Sequence, residues 1–231
     1  MTPFSFELLV FDWDGTLMDS EGRIVDCLEA TFLDLDLPLL PRETLRDVIG
    51  LGLREAIEKL VPGLDEGRAQ RFIESYRAHY LCGEKRPTEL FPGALEALRE
   101  LERRGYSLAI ATGKSRRGLE RSLGEAGCAN LFVASRCADE CFSKPHPQML
   151  QELMALLGVS PARTLMIGDT EYDMQMARNA GSHALAVGYG VHHPQRLARH
   201  GALACLYDIR DIVPWLESWP GIDNTNPKAS I

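Results

Sequence analysis

The chain has 231 residues, 45% hydrophobic and 25% charged, with a net charge of −8. That composition is ordinary for a globular protein of one large domain or two small ones. The acidic balance argues against a nucleic-acid partner, which needs a basic stripe, and against an anionic membrane surface.

In chain order, the start Met1-Thr2-Pro3-Phe4-Ser5-Phe6-Glu7 lacks the basic residues and the long apolar core of a signal peptide. The run Leu8-Leu9-Val10-Phe11 then predicts a buried strand over residues 6–12. It leads into Asp12-Trp13-Asp14-Gly15-Thr16-Leu17. Side chains two apart on a strand share a face, so Asp12 and Asp14 would meet at its end, before a Gly-Thr turn. Converging carboxylates need a cation, a shared proton or both. A turn with two solvated aspartates is the bland alternative.

After Leu17 the pattern becomes helical. Ser20, Arg23, Ile24, Cys27, Leu28, Thr31, Phe32 and Leu35 follow helix spacing, and further helices fit residues 44–49, 53–60 and 66–81. The block 18–84 reads as an all-helical insertion with eight basic and 14 acidic residues, six negative charges net. From Phe91 strands and helices alternate. Pro92 starts a helix that Gly105 ends; strands follow at 107–111, 131–134, 164–167 and 184–187. Between them, helices fit 116–126, 147–157 and 171–180, each closed by a glycine, and a last helix covers roughly 209–219. This rhythm predicts an α/β fold: a Rossmann-like parallel-sheet core, 1–17 with 85–220, with helices on both faces. The helical block 18–84 would be a cap domain inserted in it, and 221–231 a loose polar tail.

Ligands of such sheets bind beyond the carboxyl ends of the strands. Four polar segments fall there: Asp12 and Asp14, Thr112-Gly113, Lys144-Pro145, and Gly168-Asp169-Thr170-Glu171-Tyr172-Asp173. A hydroxyl, a lysine and four aspartates in one crevice make a phosphate-plus-metal site. With Asp14 protonated and the other three aspartates ionised, a phosphate dianion brings the local charge to −5. One like-charge contact at 4 Å costs about 4 kcal/mol at an effective dielectric of 20. Lys144 and one divalent cation reduce the excess to −2, and oxygen donors favour Mg²⁺ over zinc.

These motifs, in this order and over nearly the whole chain, resemble the haloacid dehalogenase-like hydrolase superfamily, in its phosphatase branch and its phosphoglycolate phosphatase-like subgroup. Phe91-Pro92-Gly93 is similar to the family's return from cap to core. The resemblance implies a cytoplasmic, Mg²⁺-dependent phosphatase acting on a small phosphorylated metabolite through an aspartyl-phosphate. In that scheme Asp12 is the nucleophile and Asp14 the general acid and base. Thr112, Gly113 and Lys144 hold the phosphoryl group. Asp12, Asp169 and the Asp14 backbone carbonyl hold the metal, with Asp173 as a direct ligand or as the residue that orients Lys144.

Each residue has a plainer reading beside this one. Thr170 followed by Asp173 resembles a helix capping box, His146 reads as a loop residue, and His192-His193 as a polar turn. Thr112-Gly113-Lys114-Ser115 imitates the end of a P-loop, but Leu108 stands where the first glycine belongs. Cys27, Cys82, Cys128, Cys137, Cys141 and Cys205 read as reduced structural thiols of a cytosolic protein. Dehalogenases lack the second acid that Asp14 supplies, and phosphonatases place alanine there and use a cap lysine, of which Lys59 is the sole candidate. A phosphosugar mutase and a non-catalytic phosphate- or partner-binding protein are the alternative functions. Arg54 reads as a solvated helix residue or as a reader of a substrate carboxylate. Phosphoglycolate is the expected ester, and the sequence leaves the oligomeric state open.

Overall fold

The computed structural model describes residues 6–82 and 88–220. The expected loose tail at 221–231, the first five residues and the side chain of Cys82 lie outside them. The elements in chain order are β1 (Leu8–Phe11), β2 (Met18–Asp19), α1 (Glu21–Asp34), α2 (Arg42–Arg46), α3 (Leu53–Leu60) and α4 (Glu66–Cys82). They continue with β3 (Glu89–Leu90), α5 (Ala94–Arg103), β4 (Ser107–Thr112), α6 (Arg116–Ala126), β5 (Ala134–Cys137), α7 (Gln148–Leu157) and β6 (Thr164–Gly168). The last are α8 (Glu171–Ala180), β7 (His183–Val187), α9 (Pro194–Ala198), β8 (Cys205–Leu206) and α10 (Ile212–Ser218).

Six strands form one parallel sheet in the order β5-β4-β1-β6-β7-β8. β1 lies at its centre, with Leu8 opposite Ser107 on one side and Thr164 on the other. Both faces of the sheet are covered, and the strand period of two decides which residue goes where. Leu9, Phe11, Ile110 and Ile167 pack with α5, α6 and α10. Leu8, Val10, Ala109 and Met166 pack with α7, α8 and α9. Full burial of one such side chain is worth roughly 1.5–3 kcal/mol, so the doubly covered sheet holds the strand ends in place.

The helices α1–α4 form a separate layer with its own apolar centre around Leu28, Phe32, Leu45, Ile57 and Phe72. Phe32 and Phe72 meet edge to face, 5.5 Å between ring centroids. Two chain passages join this layer to the sheet, and β2 pairs antiparallel with β3 across them. That two-residue ribbon carries no periodicity, and the sequence reading has no counterpart for it. The same reading set a strand at 131–134. Residues 129–131 instead make a 3-10 turn, and β5 begins at Ala134. Leu131 is buried against the core without joining the sheet, which explains how an apolar run there imitated a strand.

Phe11 is fully buried at the sheet's centre, immediately before the aspartate pair. Phe11→Ala is expected to cost about 3–5 kcal/mol of stability, read by urea denaturation. A loss below about 1 kcal/mol contradicts the packing described here.

Candidate active site

The parallel register brings three strand ends level. The backbone N–H of Asp12 donates to the Ile167 carbonyl (2.9 Å), which carries the β1–β6 ladder one residue past β1. Asp12, Thr112 and Asp169 follow from three adjacent strands and are each 1% exposed or less. Lys144 reaches the same point from the loop before α7, its Nζ 2.7 Å from Asp12 Oδ1 and 2.7 Å from Asp173 Oδ1.

Asp12, Asp169 and Asp173 each offer a carboxylate oxygen, all within 4.8 Å of one another and all buried. Three buried carboxylates facing one ammonium leave an excess of negative charge. Burial, then Asp173, pushes the Asp169 carboxyl up to about 7, although the Val191 N–H and the Thr16 hydroxyl pull the other way. Burial likewise raises Asp12 well above the usual carboxylate range, against the pull of Lys144. Both Asp12 oxygens lack a hydrogen-bond donor among the described residues apart from that ion pair. An all-oxygen donor set with an unsatisfied buried carboxylate suits a hard divalent cation.

Thr16 Oγ1 donates to Asp169 Oδ1 (2.7 Å) and the Val191 N–H to Oδ2 (2.8 Å), so the orientation of Asp169 is fixed from two sides. Gly15 has φ +84°, and a Cβ there would stand 2.2 Å from Asp169 Oδ2. The turn after Asp14 therefore requires glycine on both conformational and steric grounds. Asp173 both caps α8 and meets Lys144. One oxygen accepts from the Thr170 N–H (3.0 Å) and hydroxyl (2.6 Å) in a capping box of α8, and the other meets Lys144.

Asp14 stands outside the carboxylate cluster. Ser20 donates to its Oδ1 (2.5 Å), and Lys114 Nζ lies 2.9 Å from the same oxygen. Lys114 in turn donates to the Tyr80 hydroxyl of α4 (3.0 Å) and sits over that ring. The attraction of Asp14 raises the lysine pKa in spite of burial. Asp14 thus meets Lys114 directly, a partner that the sequence reading did not give it. Sequence reasoning passed over Lys114 as part of a failed P-loop. The available signal was its position two residues past Thr112, beyond the end of β4 on the ligand side of the sheet.

Thr112 is fully buried, and its hydroxyl accepts from the Lys114 N–H (3.2 Å). At Gly113 a Cβ would stand 2.4 Å from the Leu51 carbonyl, so the helical layer closes directly over this strand end. The Gly52 N–H donates to Ser143 Oγ (2.7 Å) at the same seam. On the far side, Asp47 pairs with Arg196, and Tyr172 donates to the Asp47 carbonyl (2.7 Å). His192 is buried there, its Nδ1 accepting from the Glu171 N–H (3.0 Å), so it is a packed joint residue and not the solvated turn expected from the sequence. His193 caps α9, and His146 stacks on Phe142 in its loop. Lys59 is held by Asp47 and Tyr172, and Arg54 by Glu66 on the exposed face. Cys27, Cys128, Cys137, Cys141 and Cys205 are free thiols.

Among the described residues no helix is long and apolar enough to cross a membrane. The haloacid dehalogenase-like hydrolase family model matches residues 9–187. "Probable phosphatase IndB" of Dickeya dadantii is 34% identical over 82% of this chain and 84% of its own. A phosphoglycolate phosphatase of Mesorhizobium japonicum is 32% identical over 79% and 83%. A haloacid dehalogenase-like family hydrolase from Streptococcus pneumoniae superposes with a TM-score of 0.79 over 91% of this chain and 98% of its own, at 23% identity, a likeness of fold.

A bound cation and the pH should be coupled. Unfolded, an aspartate loses its proton near 4; folded and metal-free, Asp169 keeps it to about 7. The folded state therefore binds more protons in that window, and this group's contribution to stability falls as pH rises through it. A cation replaces the proton and reverses the loss. The rise in Tm on adding Mg²⁺ should be small at pH 5 and several degrees at pH 8. A rise independent of pH, or one retained in Asp169→Asn, counts against this cluster as the cation site. On the family model and the 34% relative together, the chain belongs to the haloacid dehalogenase-like hydrolases.

Proposed function

We propose that this protein is a divalent-cation-dependent phosphatase, with Mg²⁺ as the cation, that hydrolyses a small phosphate monoester through an aspartyl-phosphate on Asp12. The observation that carries the reading is the division of two carboxylates at one strand end. Asp12 faces Lys144 and the acidic cluster, while Asp14 faces Ser20 and Lys114. Two carboxylates of one motif in opposed environments suit two different roles.

Asp12, Asp169 and Asp173, with the Asp14 carbonyl, are the residues that would hold the cation. Bound there, it would neutralise the buried carboxylates and draw charge from the phosphoryl oxygens. An Asp12 oxygen attacks phosphorus, a P–O bond forms, and the bond to the ester oxygen breaks. Asp14 gives the departing alcohol oxygen a proton, then takes one from the water that attacks the aspartyl-phosphate. That second step frees inorganic phosphate, restores the Asp12 carboxylate and returns Asp14 to its protonated form. General acid–base assistance of this kind is typically worth 10²–10⁴-fold. Lys144 meets the charge on Asp12 and on the phosphoryl group, and Thr112 and Gly113 border the same position. Splitting one displacement into two lowers each barrier.

Phosphatase names among the relatives support the reaction class, and the phosphoglycolate phosphatases make phosphoglycolate the reference ester. Lys59 is engaged by Asp47 and Tyr172, which weighs against the Schiff-base chemistry of a cap lysine.

Asp12→Asn should lower turnover of an aryl phosphate at least ~10³-fold with an unchanged circular dichroism spectrum. Rapid quenching of the unaltered enzyme should trap a protein one phosphoryl unit heavier, on the peptide containing Asp12. Chelation should abolish turnover and Mg²⁺ restore it. Activity that survives in Asp12→Asn, or exhaustive chelation without effect, refutes the mechanism.

A further inference from the structure

A cavity of about 470 Å³ opens between the helical layer and the sheet and has Asp14 and Lys114 on its wall. It lies on the Asp14 side of the strand end; Asp12, Lys144 and Asp169 do not line it. In the proposed mechanism Asp14 protonates the departing alcohol, so this space belongs to the alcohol and not to the phosphoryl group.

The larger part of its wall is apolar. Ile24, Leu28, Val48, Ile49, Ile73 and Tyr76 line it from α1, the α2–α3 connection and α4. Tyr76 and Tyr80 stack at 5.9 Å between centroids, and burial keeps the Tyr76 phenol protonated. The cations along the wall are committed or peripheral. Lys114 is paired with Asp14, Arg54 with Glu66, and Arg77 is exposed. Glu55 and Asp139 add negative charge to the lining. A carboxylate on the alcohol would have to compete with Asp14 for Lys114 in a low-dielectric pocket, where an unpaired charge is costly. A glycolate body also fills little of a space within the size range of drug-like ligands.

We infer that the alcohol released by this enzyme is an uncharged, largely apolar one of about six or more carbon atoms, seated on the Ile24–Leu28–Ile73 wall beside Tyr76. This rests on the phosphatase reading and narrows its substrate class away from phosphoglycolate. Desolvation of the wall draws the apolar body in, and Tyr76 on that wall carries a hydroxyl that can meet one neutral oxygen.

The test is a series of primary alkyl phosphates, ethyl, butyl and hexyl, with phosphoglycolate, assayed with Mg²⁺ on the unaltered enzyme. Longer alkyl alcohols have nearly the same leaving-group acidity, so the trend reports binding. Each buried methylene is worth about three- to fourfold, and kcat/KM should rise roughly 80-fold or more over the four methylenes from ethyl to hexyl. Hexyl phosphate should also exceed phosphoglycolate. Ala56 lines the same wall, and Ala56→Leu should lower the hexyl-to-ethyl ratio about tenfold by occupying the space. A flat alkyl series, or phosphoglycolate favoured over hexyl phosphate, overturns this inference and leaves the phosphatase reading standing. Hydrolysis of none of the esters, including an aryl phosphate, removes the phosphatase reading and this inference together.

Discussion

The contact of Lys144 with Asp12 and Asp173 is the interaction on which the site depends. One ammonium, wholly buried, is shared by two carboxylates from different segments, 2.7 Å from each. Burying charges is costly unless each is paired, and removing one partner leaves the rest uncompensated. The attraction of the two aspartates keeps Lys144 charged against the pull of burial. Even so, three carboxylates face one cation in this cluster. The remaining imbalance suits a hard divalent ion, and burial first, with the neighbouring carboxylates second, raises Asp12 and Asp169 above their ordinary range.

The second lysine resolves a different problem. Asp14 follows Asp12 by two residues and would repel it if both faced the cluster. Lys114 and Ser20 turn it toward the helical layer instead. Tyr80 ties Lys114 to α4, and Arg23 of α1 lies over the same ring. Asp14 therefore rests, through Lys114, against residues of the helical layer. Its position is coupled to whether that layer is in place, a link between closure and chemistry made by three side chains.

Closure itself is carried by polar joints around an apolar space. Asp47 with Arg196, Tyr172 with the Asp47 carbonyl, and Gly52 with Ser143 hold the layer at its rim. The Asp47–Arg196 pair is half-buried and the other two joints are buried or partly so, while the apolar centre of α1–α4 holds the layer itself together.

Much of this was legible in the chain. Period-two alternation along Leu8-Leu9-Val10-Phe11 fixes which residues meet which helical face, and the closing glycines mark helices α6, α7 and α8 where they occur. Asp12, Thr112 and Asp169 were readable because strand ends on one side of a parallel sheet must converge, Asp14 from its spacing to Asp12, and Lys144 because it stands just before a helix start. What local pattern could not supply was partnership across the fold. Lys114 and Asp14 are far apart in sequence, and nothing near either specifies the other. The β2–β3 ribbon is two residues long and has no period, and β8 pairs with only Ala186 and Val187. His192 looks like a polar turn until Glu171 and Asp47 are packed against it. Sequence determined the sheet, its two faces and the aspartates at the strand ends, because those follow from periodicity and position. Tertiary structure alone decided which charge each carboxylate meets and the size and polarity of the cavity, because both depend on side chains that only folding brings together.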